Sequence, residues 1–139
     1  MISKAFVIAG KATFTVSNNS GKHYTYRVEQ ADDRYNEGEK VYFAKLLTGP
    51  DNTRDYTYVG MLDPVKATVR TTQASRLSSD SESIRVLNWA LGIIFNGRDL
   101  PEGYKIQHDG CCGKCRAPLT VPESIEAGLG PVCGGRRSR

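Results

Sequence analysis

Three cysteines and one histidine near the end of the chain have the residue types and the spacing of metal ligands. His108 is followed after three residues by Cys112, after two more by Cys115 and after a further seventeen by Cys133. A Cys-x-x-Cys pair on one tight turn directs two sulfurs at a single ion, and three cysteines with one histidine complete a tetrahedral shell. The spacing predicts that these four side chains hold one structural zinc ion (Zn²⁺).

The segment between the last two of these ligands also favours a metal site. Thr120 and Glu123 predict a capping box, with Pro122 in the first turn of a short helix. Gly128 would end this helix after about two turns, which is too short for an isolated helix to be stable in water. A zinc ion bound by the flanking cysteines would hold both ends of the segment.

Disulfide bonding and redox chemistry are the alternatives for these cysteines. We expect a cytosolic protein, and persistent disulfides are rare in that compartment. A redox Cys-x-x-Cys pair normally begins a helix in a βαβ unit, whereas this pair follows a strand-like segment. Cys111 could replace Cys112 or His108 as a ligand, but adjacent side chains rarely point at one ion. We therefore place Cys111 outside the shell.

Basic side chains lie near the predicted zinc turn and at the end of the chain. Lys114 and Arg116 belong to the turn, and the tail contributes Arg136, Arg137 and Arg139. Cations grouped in this way neutralise nucleic-acid phosphates, so we predict that these five residues contact nucleic acid or another partner. A solvated tail is the alternative.

Tyrosines and basic residues occur together in the predicted strands and turns: Tyr24, Tyr26, Tyr56 and Tyr58 with Arg27, Lys45 and Arg54. Proteins that bind single strands stack bases on aromatic rings beside cations. Tyr24 and Tyr26 alternate in phase with Val28, however, so we expect at least half of these rings to lie in the core.

The first seventy residues predict β-structure, because apolar and polar residues alternate with a period of two. The N-terminal stretch MISKAFVIAGKATFTV is predicted to be a strand and lacks the features of a signal peptide. Asn and Gly in NNSGK predict a hairpin between the first two alternating segments. The five predicted strands are 11–17, 23–29, 40–47, 56–62 and 65–70.

A helical period replaces the alternation after residue 78. Ser79 and Glu82 predict a capping box, and Gly97 predicts the end of the helix. The predicted buried stripe is Ile84, Leu87, Leu91, Ile94 and Phe95, widened by Trp89 and Ala90. Residues 100–107 then predict a loop and a short strand that leads into the cysteines.

These elements predict an α+β fold. We expect an antiparallel five-stranded meander sheet or small barrel with one packed helix, followed by a C-terminal zinc-knuckle module. The predicted domains are residues 1–100 and residues 101–139, with the second packed on the first.

The composition is that of an ordinary globular protein. Of the 139 residues, 39% are hydrophobic and 24% are charged, and the formal net charge is +4. Such a charge does not by itself identify a nucleic-acid-binding protein. The longest apolar run is far shorter than the roughly 20 residues that a membrane span requires. We therefore expect a cytoplasmic protein without a membrane partner.

The stretch HDGCCGKCRAPLTVPESIEAGLGPVC resembles the signature of a family of small, mostly uncharacterised proteins encoded by tailed phages, prophages and plasmids. Looser similarity extends upstream through AGKATFTVSNNSGKHYTYRV and LLTGPDNTRDYTYVG. The resemblance implies that His108, Cys112, Cys115 and Cys133 are metal ligands and that the protein works inside a bacterial host. Cys111 stands where the family more often has a basic residue, which leaves the ligand choice open by one position.

Enzymatic activity is not expected. Four protein ligands leave a zinc ion no open position for water, and the sequence has neither a Ser-His-Asp set nor a phosphate-binding loop. The favoured hypothesis is association with nucleic acid or a nucleoprotein complex. The alternative is an anti-defence inhibitor, of anti-CRISPR or anti-restriction type, that binds a host protein complex. The family resemblance and the acidic segment 29–39 are the grounds for this alternative.

Overall fold

Six antiparallel strands form one curved sheet, a half-barrel, in the order β5-β4-β3-β2-β1-β6. The structure is a computed structural model that describes residues 2–31, 40–51, 54–119 and 128–130. The strands are β1 (Lys11–Asn18), β2 (His23–Gln30), β3 (Tyr42–Leu47), β4 (Tyr56–Asp63), β5 (Thr68–Arg70) and β6 (Tyr104–His108). The helices are α1 (Lys4–Val7) and α2 (Glu82–Asn96).

The period-two pattern of the sequence becomes two distinct faces of the sheet. Phe14 lies opposite Tyr26 in the β1–β2 pair, and both side chains are fully buried under α2. Their chain neighbours Thr15 and Thr25 point to the other face, where their hydroxyl groups form a hydrogen bond with an oxygen–oxygen distance of 2.7 Å. The predicted β1–β2 hairpin is confirmed, and the helix side of the sheet forms the core.

The predicted number of strands is wrong, because β6 adds a sixth strand beside β1. Ile106 lies opposite Val16 in this pair and is buried with it in the core. The short strand predicted before the cysteines therefore belongs to the same sheet as the N-terminal strands. The predicted division after residue 100 cuts this sheet between α2 and β6.

The N-terminus is helical where the sequence predicted a strand. In α1 the Ser3 hydroxyl caps the helix by accepting a 3.3 Å hydrogen bond from the Phe6 N–H. Phe6 and Val7 are both fully buried, which a half-buried strand does not allow for consecutive residues. The alternation begins only at β1, after Gly10.

The long helix α2 follows the predicted stripe but not the predicted start. Ser81, not Ser79, occupies the N-cap position, and its side chain makes no capping hydrogen bond. The predicted end is confirmed, since Gly97 has the left-handed φ of 63°. Ile84, Leu87, Ala90, Leu91 and Ile94 are buried as predicted, and Phe95 is partly buried.

Trp89 is the exception on α2, because its side chain is 37% exposed. At 100° per residue, position 89 lies on the opposite side of the helix from the stripe centred on Leu87 and Leu91. The prediction that Trp89 widens the buried stripe is therefore wrong. Neither α2 nor any other helix in the described part of the chain is long and apolar enough to cross a membrane.

Candidate functional site

The two central cysteines lie in a tight hairpin-like loop that follows β6. A β-bridge joins Cys111 to Pro118 and closes the segment between them, which we call the cysteine turn. Inside it, the Cys112 N–H donates to the Ala117 carbonyl at 2.8 Å, and the Arg116 N–H donates to the Cys112 carbonyl at 3.0 Å. Arg116 adopts a left-handed φ of 67°, a conformation that is uncommon for a non-glycine residue.

Cys112 is the best-defined functional side chain of this turn. Its side chain is fully buried, and its Sγ accepts backbone hydrogen bonds from Lys114 at 3.4 Å and from Gly130 at 3.3 Å. Burial opposes the charged thiolate, but the N–H groups of Cys115, Gly130 and Lys114 outweigh it and lower the pKa of Cys112 to about 6. A thiolate is the form of cysteine that binds metals.

The Phe6 ring of α1 packs against the backbone of the cysteine turn. A Cβ atom at Gly113 would lie 2.8 Å from Phe6 Cδ1, and one at Gly128 would lie closer still. Both positions therefore require glycine for the Phe6 ring to fit, and the two glycines join through a 2.8 Å N–H to carbonyl bond. The Lys11 N–H donates to the Gly113 carbonyl at 2.7 Å, and the His108 ring packs 5.7 Å from the Phe6 ring.

Phe6 is a part of the site that no motif in the sequence indicated. Gly113 lies in the predicted tight turn between Cys112 and Cys115, and Gly128 is the predicted end of the short helix. The structure shows that close approach of an aromatic ring is a further reason for both glycines. The two glycines were the available signal, but nothing in the sequence indicates which ring they admit.

His108 is positioned less favourably for a metal than Cys112. The Gly110 N–H donates to His108 Nδ1 at 2.9 Å. A backbone N–H is always the donor, so Nδ1 supplies its lone pair and the proton of the neutral ring lies on Nε2. A metal needs the lone pair of one of these nitrogens. Zinc binding by His108 therefore requires this hydrogen bond to open.

Of the three predicted ligands that the structure describes, Cys112 and Cys115 lie together. The Cys115 thiol lies near enough to Cys112 to help lower the pKa of Cys112, and Cys115 is exposed whereas Cys111 is half-buried. Within the described residues, no group of three or more His, Cys, Asp or Glu side chains is placed to hold a metal. Cys133 lies outside these residues.

Other predicted features also fall on residues that the structure does not describe. The Thr120–Glu123 capping box lies outside the described ranges, as do Arg136, Arg137 and Arg139. The same holds for residues 32–39 of the acidic segment. Lys114 lies within the described part and is exposed at the tip of the cysteine turn.

Arg116 is paired within the protein. Its Nη1 lies 3.1 Å from Asp109 Oδ1, and its Nη2 forms a second bond to Asp109 Oδ2. The hydrogen bond to Asp109 is the main reason that the pKa of Arg116 is raised. This bidentate pair joins the two ends of the loop after β6, so Arg116 has a structural partner in addition to any phosphate it contacts.

The sheet face away from α2 carries aromatic rings beside cations; we call it the aromatic-basic face and define it by Arg27, Phe43, Lys45, Tyr56 and Tyr58. The Arg27 guanidinium lies 4.1 Å from the centre of the Tyr56 ring, within cation–π distance. The rings of Phe43 and Tyr58 meet edge to face at 5.8 Å. Lys45 lies 2.5 Å from its ion-pair partner Glu29.

The aromatic-basic face is adjacent to the cysteine turn. Burial is the main cause that raises the pKa of Tyr56, and the charges of Arg27, Asp109 and Arg116 also act on it. Tyr56 belongs to β4, whereas Asp109 and Arg116 follow β6 at the far side of the sheet. The curvature of the half-barrel explains why groups from these distant strands interact.

The four tyrosines that the sequence singled out divide between the two faces of the sheet. Tyr26 is fully buried, donates to the Ser83 carbonyl at 2.6 Å and has a pKa raised by burial. Tyr24 lies half-buried on the same face, and only Tyr56 and Tyr58 lie on the aromatic-basic face. At least half of these rings were expected in the core; Tyr26 is a core residue, and Tyr24 packs against the core while partly exposed.

The C-terminal part of the chain is similar to a family of unknown function (DUF6011), whose sequence profile matches residues 106–138. The match begins inside β6 and includes the cysteine turn and all four predicted ligands. It does not include the upstream segments for which a looser family resemblance was expected. No curated protein and no solved structure matches the chain.

Proposed function

We propose that the protein is a non-enzymatic zinc-binding protein that associates with nucleic acid or nucleoprotein complexes. The observation that carries this proposal is that the two candidate surfaces lie near enough for the charges of one to act on a ring of the other. The cysteine turn holds Arg116 against Asp109, and both charges act on Tyr56, which stacks on Arg27. A cysteine turn stabilised by zinc would thereby hold these charges in place at one edge of the aromatic-basic face.

The zinc part of the proposal rests on Cys112. Its sulfur accepts two backbone N–H groups in a buried setting, an arrangement that suits a metal-bound thiolate. Cys115 and Cys133 would supply two further sulfurs, and His108 would supply the fourth ligand after its bond from Gly110 opens. Zinc in such a closed shell contributes to folding and leaves no position for a reacting water.

The nucleic-acid part rests on the stacked pair of Arg27 and Tyr56. Arg27 Nε also donates to Thr13 Oγ1 at 3.2 Å, so the guanidinium is held between Thr13 and the Tyr56 ring. An aromatic ring beside an oriented cation offers a base a stacking platform and a phosphate a positive charge. The arginines of the tail would extend this surface beyond the described residues.

Binding of labelled single-stranded DNA and RNA at low salt tests the proposal. We expect Tyr56→Ala to weaken binding about tenfold, the scale of a lost base–aromatic stack. Arg27→Ala should also weaken it and lower the log–log salt slope by roughly 0.7–0.9 for each lost phosphate contact. Arg54→Ala is the matched control, because Arg54 is exposed in a turn and pairs with Asp51.

Two outcomes would contradict the nucleic-acid proposal. One is wild-type protein that binds neither single- nor double-stranded nucleic acid at low salt, the condition in which screening is weakest. The other is a stoichiometric protein partner recovered from nuclease-treated host lysate by wild-type protein and equally by a variant lacking Arg116, Arg136, Arg137 and Arg139. That second result would support the anti-defence inhibitor.

A further inference from the structure

A groove lies on the helix side of the sheet, between the first half of α2, the β1–β2 hairpin and the start of β6. Its volume is about 620 Å³, which falls within the range of sites that bind small organic molecules. We call it the Trp89 groove. It lies on the opposite side of the sheet from the aromatic-basic face, since Val16 and Tyr24 line it from the core side.

Two exposed aromatic rings form one wall of this groove. Trp89 is 37% exposed, Tyr104 is 43% exposed, and their ring centres lie 5.0 Å apart with an angle of 56° between the planes. Within the described residues the other exposed large apolar side chain is Val65, which lies in the β4–β5 turn. Two of the three exposed large apolar side chains in the described part of the chain therefore lie together in this groove.

The polar wall of the groove contains two cations: Lys22, which is paired with Glu82, and Arg85. Glu82 pairs with Lys22 and accepts a 2.7 Å hydrogen bond from the Tyr24 hydroxyl. Arg85 lies one turn before Trp89 on α2 and is exposed; its side chain forms no hydrogen bond or ion pair with other described residues, although its charge acts on Glu82. The negative charge of Glu82 offsets the positive charge of Lys22. The charge of Arg85 therefore makes the groove net positive, which favours an anionic group of a ligand.

We propose that the Trp89 groove binds a nucleotide, with the base against Trp89 and Tyr104 and the phosphate at Arg85. A flat ring with an attached anion matches both walls, and one helical turn separates the cation from the indole. The nucleotide is either free or a residue of a single strand. This site requires neither the zinc ion nor the aromatic-basic face, so it extends the proposed function and does not depend on it.

The fluorescence of Trp89 tests this proposal directly, because Trp89 is the single tryptophan of the chain. We expect AMP or a short oligoadenylate to quench it in a saturable manner when added to the full-length wild-type protein. Adenosine should bind more weakly and ribose phosphate should not quench, since each lacks one of the two recognised groups. Quenching by AMP identifies a free nucleotide, and quenching by the oligoadenylate alone identifies a residue of a strand.

Matched variants locate the site. Tyr104→Ala should weaken binding about tenfold through the lost stack, and Arg85→Ala should weaken it several-fold and reduce its salt dependence. Arg98→Ala should bind as wild type, because Arg98 is exposed beyond the end of α2. The exposed helical position of Arg85 keeps this test valid if Tyr104→Ala fails to fold. The proposal is overturned if no probe quenches Trp89, or if Arg85→Ala binds AMP and oligoadenylate as tightly as wild type.

Discussion

At the scale of single residues, Cys112 and Cys111 are neighbours with different surroundings. Cys112 is fully buried and its sulfur accepts backbone N–H groups, whereas Cys111 is half-buried in a β-bridge to Pro118. The N–H groups around Cys112 stabilise a thiolate, which is the state that a zinc ion requires. This difference supports the ligand assignment made from spacing alone.

We therefore expect Cys112→Ser to lose zinc and Cys111→Ser to retain about one equivalent per chain, as measured by metal analysis of protein purified without chelator. The two variants differ by one position and make the same chemical change, so each is the control for the other. Zinc loss from Cys111→Ser alone would move the assignment by one residue. Absence of zinc from the wild type would remove the metal site from the proposal.

His108→Gln extends this comparison to the histidine. Because the Gly110 N–H occupies Nδ1, zinc binding at His108 must break a 2.9 Å hydrogen bond. Retention of zinc by His108→Gln together with loss from Cys111→Ser would indicate a shell of four cysteines.

At the scale of elements, α1 supports the cysteine turn across a long sequence separation. Phe6 is fully buried, contacts the ring of His108 and fills the space that Gly113 and Gly128 leave open. We expect Phe6→Ala to lower the free energy of unfolding by about 3–5 kcal/mol and to weaken zinc retention against a competing chelator. Thermal or urea unfolding and a chelator titration measure the two effects.

Leu91→Ala is the control for Phe6→Ala, because Leu91 is equally buried in the core but lies on α2. It should cost about 2–5 kcal/mol and leave the zinc affinity of the folded protein unchanged. Equal zinc affinity in both variants would show that Phe6 stabilises only the core.

The elements differ in how far their sequences determine them. The β1–β2 hairpin and the end of α2 at Gly97 were predictable, because alternation and a left-handed glycine are local signals. The α1 helix was not, since its four residues are held by a Ser3 cap and by burial of Phe6 against residues far along the chain. The pairing of β6 with β1 is likewise a long-range contact that no local pattern specifies.

The candidate site shows the same division. The spacing of Cys112 and Cys115 predicted their proximity, because a tight turn is a local structure. The exposed position of Trp89 follows from helical geometry, but its contact with Tyr104 depends on where β6 joins the sheet. The link between Tyr56 and Arg116 depends on the curvature of the whole half-barrel and could not be derived from either segment alone.

At the scale of the whole molecule, the cysteine turn is joined to the sheet core at three points: β6, the Phe6 ring and the bond from the Lys11 N–H to the Gly113 carbonyl. Ile106 of β6 belongs to the core cluster, whereas Cys112 and Leu129 are buried outside it. Neither Cys112 nor Cys115, the two cysteine ligands that the structure describes, belongs to the core cluster. Loss of zinc should act on the turn first and reach the sheet through β6, Phe6 and Lys11.

We expect chelation to unfold the cysteine turn while the sheet and α2 keep a cooperative transition. Trp89 fluorescence during urea unfolding should show one transition with a lower midpoint, because Trp89 contacts Tyr104 at the start of β6. Hydrogen exchange should show fast exchange at Cys112 and Gly113 and retained protection at Tyr26. The zinc-free Cys112→Ser variant should behave like the chelated wild type. Loss of the Trp89 transition on chelation would instead show that zinc holds the whole fold together, since the core alone would then be too weak to exclude water from the sheet.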